Sequence, residues 1–318
     1  MRKAALLFNA RSGGRRNHRE RDLERALEIL SGAGVETVLV RTQSSQDATD
    51  QARKAIADGC DTIFACGGDG TVHDVLQALV GSGASLSIVP MGTANALAHD
   101  LRLPLEPSQA VRAALLAVPR RIAVGRINAR GLDGTAVSRF FTVAIGVGVD
   151  AHLFYKLKTS TKQKLGMAAY YAKAWHLWFT HRMEPFRVEW STGSEAPEIG
   201  EGVTELLAVR IRNFGGVLRE LAPGASLERN DLRLVICRTS SRISYLLYVV
   251  RGLLGQTWSV PGVDLVHVDS ARCSYALEDN TSGGGSKIYV EADGELLGTL
   301  PAEISVVPDA LTILSPRP

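Results

Sequence analysis

Gly67-Gly68-Asp69-Gly70-Thr71 follows the apolar run Thr62–Cys66 and precedes the helical pattern Val72–Val80. Glycines at the end of a strand let backbone N–H groups come close to an anion. A helix start adds unpaired N–H groups and a positive dipole end. Phosphate is the chemistry that fits. Asp69 alone would repel a bare phosphate, so its place in the loop argues for a bridging Mg²⁺. The competing reading is a strand-to-helix turn with Asp69 as N-cap. Pro90-Met91-Gly92-Thr93-Ala94-Asn95 also leaves a strand and opens a helix. Thr93 can donate its hydroxyl to a phosphate and Asn95 can tie the loop down. Alone, this segment is equally an N-capped turn. Asn9-Ala10-Arg11-Ser12-Gly13-Gly14 is a third loop after an apolar run. Far along the chain, Asp293-Gly294-Glu295 sets two carboxylates one residue apart. A tight turn would aim both at one locus; the spacing alone favours a hairpin Asp-Gly turn with a solvated Glu.

The elements that carry these residues fall into two regimes. Over the first part of the chain, strands at Lys3–Asn9, Glu36–Arg41, Thr62–Cys66 and Leu86–Val89 alternate with helical patterns at His18–Gly32, Asp47–Asp58, Val72–Val80, Ala94–Leu101 and Pro107–Ala117. That alternation predicts an α/β domain with a parallel sheet. Its ligand loops should gather at the carboxyl ends of the strands. After Arg121 the pattern becomes strand-rich, at Ile122–Ala129, Ser138–Ile145, Phe186–Trp190, Glu205–Ile211, Leu232–Arg238, Leu265–Val268, Ala271–Ala276 and Lys287–Glu291. A β-rich sandwich second domain is expected. The expected boundaries are 1–121, completed by 306–318, for the first domain and 122–305 for the second. Helical stretches interrupt the second domain at Leu165–Phe179 and Ile243–Gly255.

The chain has 318 residues, 36 basic and 33 acidic, with a net charge of +3. That balance lacks the basic excess of a nucleic-acid binder and suits handling of phosphates or anionic lipid. The four cysteines, Cys60, Cys66, Cys237 and Cys273, have no zinc-finger or redox-motif spacing. The apolar run after Met1-Arg2-Lys3 is too short for a signal sequence, and no stretch approaches the ~20 apolar residues that span a bilayer. A cytoplasmic protein with only peripheral membrane contact is expected. Lys156–Lys164 carries four lysines and leads into Tyr170, Tyr171, Trp175, Trp178 and Phe179. This suits an anionic membrane surface, or equally a solvated loop before a core helix. Ile243–Leu254 is apolar enough to dock on a membrane, line an acyl-chain channel or pack in the core.

Asn9-Ala-Arg-Ser-Gly13, Gly67-Gly-Asp-Gly-Thr-Val-His-Asp-Val75 and Pro90-Met-Gly-Thr-Ala-Asn-Ala-Leu-Ala98 together resemble the signature set of the diacylglycerol kinase catalytic-domain family. This family includes bacterial lipid kinases and is related to sphingosine and ceramide kinases. The resemblance extends through Ala144–Ala151, Asn213-Phe-Gly-Gly216, Leu221–Ala225 and Asp293-Gly-Glu295. It implies an ATP-dependent transfer of the γ-phosphoryl group to a lipid hydroxyl, with diacylglycerol or a related lipid as acceptor. ATP would be bound by Asn9, Ala10, Arg11, Ser12, Gly13, Thr42, Gly67, Gly68, Asp69, Gly70, Thr71, Val72, His73, Thr93 and Asn95. Mg²⁺ would be held near Asp69, partly through water, with help from Asp74. Glu295 and Asp293 would supply the base, brought from the second domain to the cleft. Peripheral membrane contact and a homodimer are further implications.

Two departures from the family pattern carry expectations. His73-Asp74 stand where Asn-Glu is frequent, and His73 reads either as a phosphate contact or as an exposed helix residue. Arg229, in Leu227-Glu-Arg-Asn-Asp231, falls where a structural-metal carboxylate is expected. A guanidinium cannot ligate Mg²⁺ but can replace its charge by pairing with a carboxylate, so that metal is expected to be absent unless Asp231 restores it. The alternatives from other classes are an NAD kinase-like enzyme that phosphorylates a soluble hydroxyl, and a non-catalytic nucleotide or lipid sensor.

Overall fold

The computed structural model describes residues 1–9, 16–149, 151, 183–193, 196–215, 220–256, 258–276 and 287–316. Residues 10–14 of the first expected loop, the lysine-rich segment and the expected helix Leu165–Phe179 lie outside the described residues. The chain forms two compact units. The first comprises Met1–Val124, Asn213–Leu218 and Val307–Pro318; the second comprises Gly125–Arg212 and Arg219–Val306.

In the first unit, β1 (Lys3–Asn9), β2 (Glu36–Thr42), β3 (Thr62–Gly67) and β4 (Ser85–Pro90) alternate with α1 (Arg16–Gly32), α2 (Ser45–Ala57), α3 (Asp69–Leu79), α4 (Ala96–Asp100) and α5 (Pro107–Leu116). The strands pair in parallel in the order β2-β1-β3-β4, and Thr312 and Ile313 continue the sheet beyond β4. Every residue of β3 is buried, as a central strand of a parallel sheet covered on both faces requires. Ala4, Leu6, Phe64 and Val89 form one core cluster with Leu23, Ala26 and Leu30 of α1 and Val111 of α5. Strand alternation turns Ala5, Leu7, Ile63 and Ala65 to the opposite face, and all four are fully buried.

Two helix boundaries depart from the expected ones for local reasons. α3 starts at Asp69, inside the glycine loop, instead of at Val72. α4 starts at Ala96 instead of Ala94, because Asn95 takes the left-handed conformation with φ 50°. Asparagine is among the few non-glycine residues that visit this region readily.

The second unit is built from antiparallel strands. β5 (Val118–Gly131) enters it and pairs with β6 (Ala136–Phe141). β7 (Ala144–Gly148), β8 (Phe186–Ser191), β9 (Glu198–Val203), β10 (Glu205–Val209), β11 (Leu232–Cys237), β12 (Val263–Val268), β13 (Ser270–Tyr275), β14 (Tyr289–Ala292) and the long β15 (Glu295–Ser315) follow, with helix α6 (Arg242–Leu253) between β11 and β12. One run of neighbours is β12-β11-β10-β7-β14-β15; another is β9-β8-β13-β15. Their inward side chains, among them Phe141, Ile145, Val188, Trp190, Leu206, Leu234, Val290 and Ile304, make one core. The expected strand Ser138–Ile145 is two strands here. It breaks at Thr142-Val143, whose N–H groups point to the carboxylate of Asp293 instead of a neighbouring strand.

Candidate active site

The parallel register sets the loops on one rim of the first unit. Asn9 pairs with Thr42, Phe8 with Cys66, and Gly67 with Pro90, so β1, β2, β3 and β4 end side by side. Asn9 is half-buried at that rim. Thr42 is buried and donates its hydroxyl to the Phe8 carbonyl at 3.2 Å.

The loops after β3 and β4 are fastened to one another. The Met91 N–H donates to the Gly67 carbonyl at 2.9 Å. The backbones then approach so closely that a Cβ on Gly92 would stand 2.4 Å from the Gly68 Cα and 2.8 Å from the Asn95 Oδ1. Asn95 closes its loop twice: its Oδ1 accepts from the Gly92 N–H and its Nδ2 donates to the Gly92 carbonyl, both at 2.9 Å. The Ala96 N–H donates to Asp69 Oδ1 at 2.7 Å. Asp69 is therefore not the N-cap of its own helix. Gly68 occupies that position and, as a glycine, supplies no side-chain cap. The Asp69 carboxylate is instead the strut between the two glycine loops. Thr93 is exposed on the second loop.

Gly92→Ala tests this closure. The added methyl meets backbone, so the two loops must separate. The expected result is at least about a tenfold loss of nucleotide affinity, a misplacement effect, read by isothermal titration with ATP, while thermal melting moves by only a few degrees.

Thr71 and Val72 are buried in the first turn of α3. The Thr71 N–H donates back to the Gly68 carbonyl at 2.9 Å. His73 is buried as well, which corrects the reading of it as an exposed helix residue: it lies on the inward stripe of α3 with Val72, Val75, Leu76 and Leu79. Asp74 is half-buried, and its backbone carbonyl accepts the Thr49 hydroxyl of α2 at 2.8 Å. It lies five residues past Asp69, about 140° around the helix axis, so the two carboxylates leave different faces of α3. Among the described residues no three of His, Cys, Asp or Glu converge into a metal cage.

Arg19 escaped the reading of the sequence. From the first turn of α1 its guanidinium donates to the Met91 carbonyl at 3.2 Å, beside the second glycine loop. An arginine just past the expected Ser-Gly loop was the available signal. Asn213 and Gly215 belong to this unit as well. The Asn213 N–H donates to Asp100 Oδ1 at 2.8 Å. Gly215, at φ 75°, lies so close to His99 that a Cβ would meet the imidazole ring at 2.3 Å.

In the second unit, Asp293-Gly294 is the two-residue turn of the β14–β15 hairpin, flanked by the pair Ala292 and Glu295. Both turn residues have positive φ, 49° and 81°, the geometry that favours Asp-Gly in hairpins. The two carboxylates are not equivalent. Asp293 is only 9% exposed. Its Oδ1 accepts from the Val143 and Ala144 N–H groups at 2.9 and 3.1 Å, and its Oδ2 accepts from Thr142 at 3.1 Å. Asp293 thus anchors the hairpin to the break between β6 and β7, and Glu295 is half-buried at the start of β15. Glu291, which the spacing did not single out, is buried and accepts from the Gly294 N–H at 2.8 Å. A lone acid in the apolar stretch Ile288–Ala292 was its trace in the sequence.

Asp293→Asn keeps one acceptor oxygen and loses the other. The amide NH2 then faces the Thr142 N–H or the Val143 and Ala144 N–H groups, which lose their acceptor, at a cost of about 1–3 kcal/mol. The expected result is a lower midpoint in urea denaturation, with catalysis falling only as far as the hairpin loosens.

Asp231, the residue that could restore a structural metal, is engaged by neighbours. Arg229 donates to both of its oxygens, with Nε at 2.9 Å from each, and His267 Nδ1 stands 3.2 Å away. Burial opposes ionisation of Asp231, but hydrogen bonds from Arg229 and the charges of His267 and Arg229 hold its carboxyl below the usual carboxylate range. The buried Arg210 donates to the carbonyls of Asp231 and Leu227.

Residues 3–127 match the diacylglycerol kinase catalytic domain, and residues 143–315 match the YegS C-terminal NAD kinase beta sandwich-like domain. The chain is 27% identical over 307 residues to a diacylglycerol kinase of Bacillus subtilis (strain 168), covering 95% of this chain and 93% of that protein. It is 29% identical over 293 residues to a diacylglycerol kinase of Mycobacterium tuberculosis (strain ATCC 25618 / H37Rv), covering 92% and 89%. In fold it is similar to the crystal structure of a diacylglycerol kinase from Bacillus anthracis str. Sterne, with a TM-score of 0.69 at 17% identity, over 99% of this chain and 96% of that one. Yeast NADH kinase has a more distant likeness of fold, at a TM-score of 0.50 and 8% identity, over 99% and 84%. The chain belongs to the diacylglycerol kinase catalytic-domain family, in the branch whose second part is the YegS C-terminal NAD kinase beta sandwich-like domain.

Proposed function

We propose that this protein is an ATP-dependent lipid kinase that moves the γ-phosphoryl group of ATP to a hydroxyl of diacylglycerol or a closely related lipid. The observation that carries the reading is the fastening of the two glycine loops, Gly68 against Gly92 and Asp69 onto Ala96. This makes one backbone cradle at the start of α3, whose N-cap Gly68 has no side chain. Such a cradle suits the oxygens of a triphosphate. Asn9, Ala10, Arg11, Ser12, Gly13, Thr42, Gly67–His73, Thr93 and Asn95 are the proposed nucleotide contacts. Of these, the buried Thr42, Thr71, Val72 and His73 contribute by backbone or by fixing their loops. Arg19 adds a positive charge next to Met91.

Mg²⁺ fits the residues present. It takes oxygen donors, keeps several waters, and is commonly held by one or two carboxylates together with the substrate's phosphates. Asp69 is the carboxylate proposed for that role; Asp74 leaves α3 from another face and would act only at a distance. The ion, when bound, neutralises phosphate charge. The chain's own residues do the rest. The cradle holds the γ-phosphoryl group in place. The lipid hydroxyl oxygen forms a bond to the γ-phosphorus, the bond to the β-phosphate oxygen breaks to release ADP, and Glu295 takes the hydroxyl proton. Asp293 and Glu291 hold the turn that carries Glu295. Because the acceptor is a membrane lipid, the protein works in peripheral contact with a bilayer. Among the described residues no helix is long and apolar enough to cross one.

The test is ADP release with dioctanoylglycerol in mixed micelles. Turnover that depends on both the lipid and Mg²⁺ is expected. Turnover with NAD in place of the lipid would overturn the assignment of the acceptor, and tight ATP binding without turnover would support a sensor.

A further inference from the structure

The stretch Leu221–Asp231, which leads into β11, is closed by arginines. Arg251 Nη2 donates to the Leu221 carbonyl at 3.3 Å, Arg233 Nε to the Pro223 carbonyl at 2.8 Å, and Arg210 Nη2 to the Leu227 carbonyl at 3.4 Å. Arg210 also donates to the Asp231 carbonyl through Nη1. Arg229 donates to both carboxylate oxygens of Asp231. Arg210 is wholly buried and Arg251 nearly so. Burial pushes the Arg210 guanidinium down to about 10, which leaves it protonated at neutral pH. A charge held inside a protein is costly unless hydrogen bonds replace its water, and the converging carbonyl oxygens replace it here. Arg210 starts from a fixed base: it follows β10 directly, and its own N–H donates to the Val143 carbonyl at 2.9 Å.

Carbonyl oxygens gathered around a carboxylate are also what a hard divalent ion takes. The residues at this place do not fit one. Both Asp231 carboxylate oxygens carry Arg229, His267 Nδ1 stands 3.2 Å from one of them, and the Asp231 carbonyl belongs to Arg210. A divalent ion at Asp231 would have to displace Arg229 and then stand near Arg210 and Arg233. The negative charge of Asp231 acts on both of these arginines, so both would repel a cation placed against it. A guanidinium, with its planar fork of donors, can satisfy several oxygens at once and stays charged when buried.

We propose that guanidinium groups stand in for a structural divalent ion in this loop: Arg229 neutralises the Asp231 carboxylate, Arg210 gathers the Asp231 and Leu227 carbonyls, and the second unit folds without a metal. Folding is read without turnover, so the outcome stands apart from the kinase reading.

The experiment is thermal melting of the full chain without nucleotide, in EDTA and in millimolar MgCl₂ or CaCl₂, alongside Asp231→Asn and Arg229→Ala. An ion that binds only the folded state raises the midpoint, and one held by Asp231 would do so only where that carboxylate is present. The divalent-ion shift of the unaltered protein should therefore equal that of Asp231→Asn. Arg229→Ala leaves the partly buried Asp231 carboxylate without its guanidinium and should lower the midpoint in EDTA by about 2–4 °C. In Arg229→Ala/Asp231→Asn the two losses should not add, because the pair acts as one unit. A rise of several degrees with Mg²⁺ or Ca²⁺ that Asp231→Asn abolishes would place an ion at Asp231 and overturn the proposal. Arg229→Ala melting like the unaltered protein in EDTA would overturn it too, as would strictly additive losses in the double variant.

Discussion

Glu295→Gln should abolish most turnover while leaving ATP binding intact. The substitution keeps the size and the neutral hydrogen-bonding capacity of the side chain and removes only its ability to take a proton. General-base assistance contributes about 10²–10⁴-fold, so the turnover number should drop by that factor. Titration calorimetry with ATP should give an affinity near that of the unaltered protein, since Glu295 belongs to the second unit and the glycine loops to the first. Folding should also survive. Asp293 and Glu291 anchor the β14–β15 turn. The contrast with Asp293→Asn is therefore informative: there stability falls first, whereas in Glu295→Gln chemistry fails in a stable protein. Turnover close to the unaltered value in Glu295→Gln would remove this residue from the mechanism.

Asp69→Asn should separate the structural duty of Asp69 from its charge. The amide oxygen of Asn can still accept from the Ala96 N–H, the 2.7 Å contact that joins the two loops. The loops should stay closed and thermal melting should barely move. What is lost is the negative charge offered to a nucleotide-borne Mg²⁺. Loss of a residue that acts on a metal from its surroundings typically costs about 10–100-fold in metal affinity or activity. The expected outcome is a fall of that size in turnover at limiting Mg²⁺, partly recovered as Mg²⁺ is raised. Asp69→Ala, which also breaks the strut, should additionally lose nucleotide affinity. If Asn and Ala behaved alike in every readout, the carboxylate would be purely a loop fastener.

Much of this architecture is legible in the residues, and the points of departure have physical causes. Thr62–Cys66 reads as a buried strand because an unbroken apolar run between turn signals suits a covered parallel sheet, and β3 occupies that place. The paired glycine loops announce themselves through composition. Their mutual fastening does not, because a 2.7 Å contact between Asp69 and Ala96 joins residues that neither periodicity nor spacing connects. The helix start at Asp69 was hidden because glycine loops look like breakers, whereas here Gly68 is an N-cap. His73 looked like a solvent-facing residue by type; its helical position put it on the inward stripe. The Asp293-Gly294-Glu295 spacing favours an Asp-Gly hairpin turn, and β14 and β15 are joined by one. The spacing does not reveal the three backbone donors of Asp293, a long-range arrangement set by the break at Thr142-Val143. The aliphatic run of α6 fitted core and surface alike. Only the burial of Tyr245, Tyr248 and Arg251 on the opposite side settles its orientation.

The claim at the centre is that a triphosphate held by the fastened glycine loops gives its terminal phosphoryl group to a lipid hydroxyl. Incubation with γ-labelled ATP, Mg²⁺, a total lipid extract and NAD in one vessel tests it most directly, followed by extraction and mass identification of the labelled product. The expected product partitions with the lipids as a phosphomonoester on a glycerol-based lipid, and it disappears in Glu295→Gln. Label in the aqueous phase on NAD, with none on any lipid, would contradict the account.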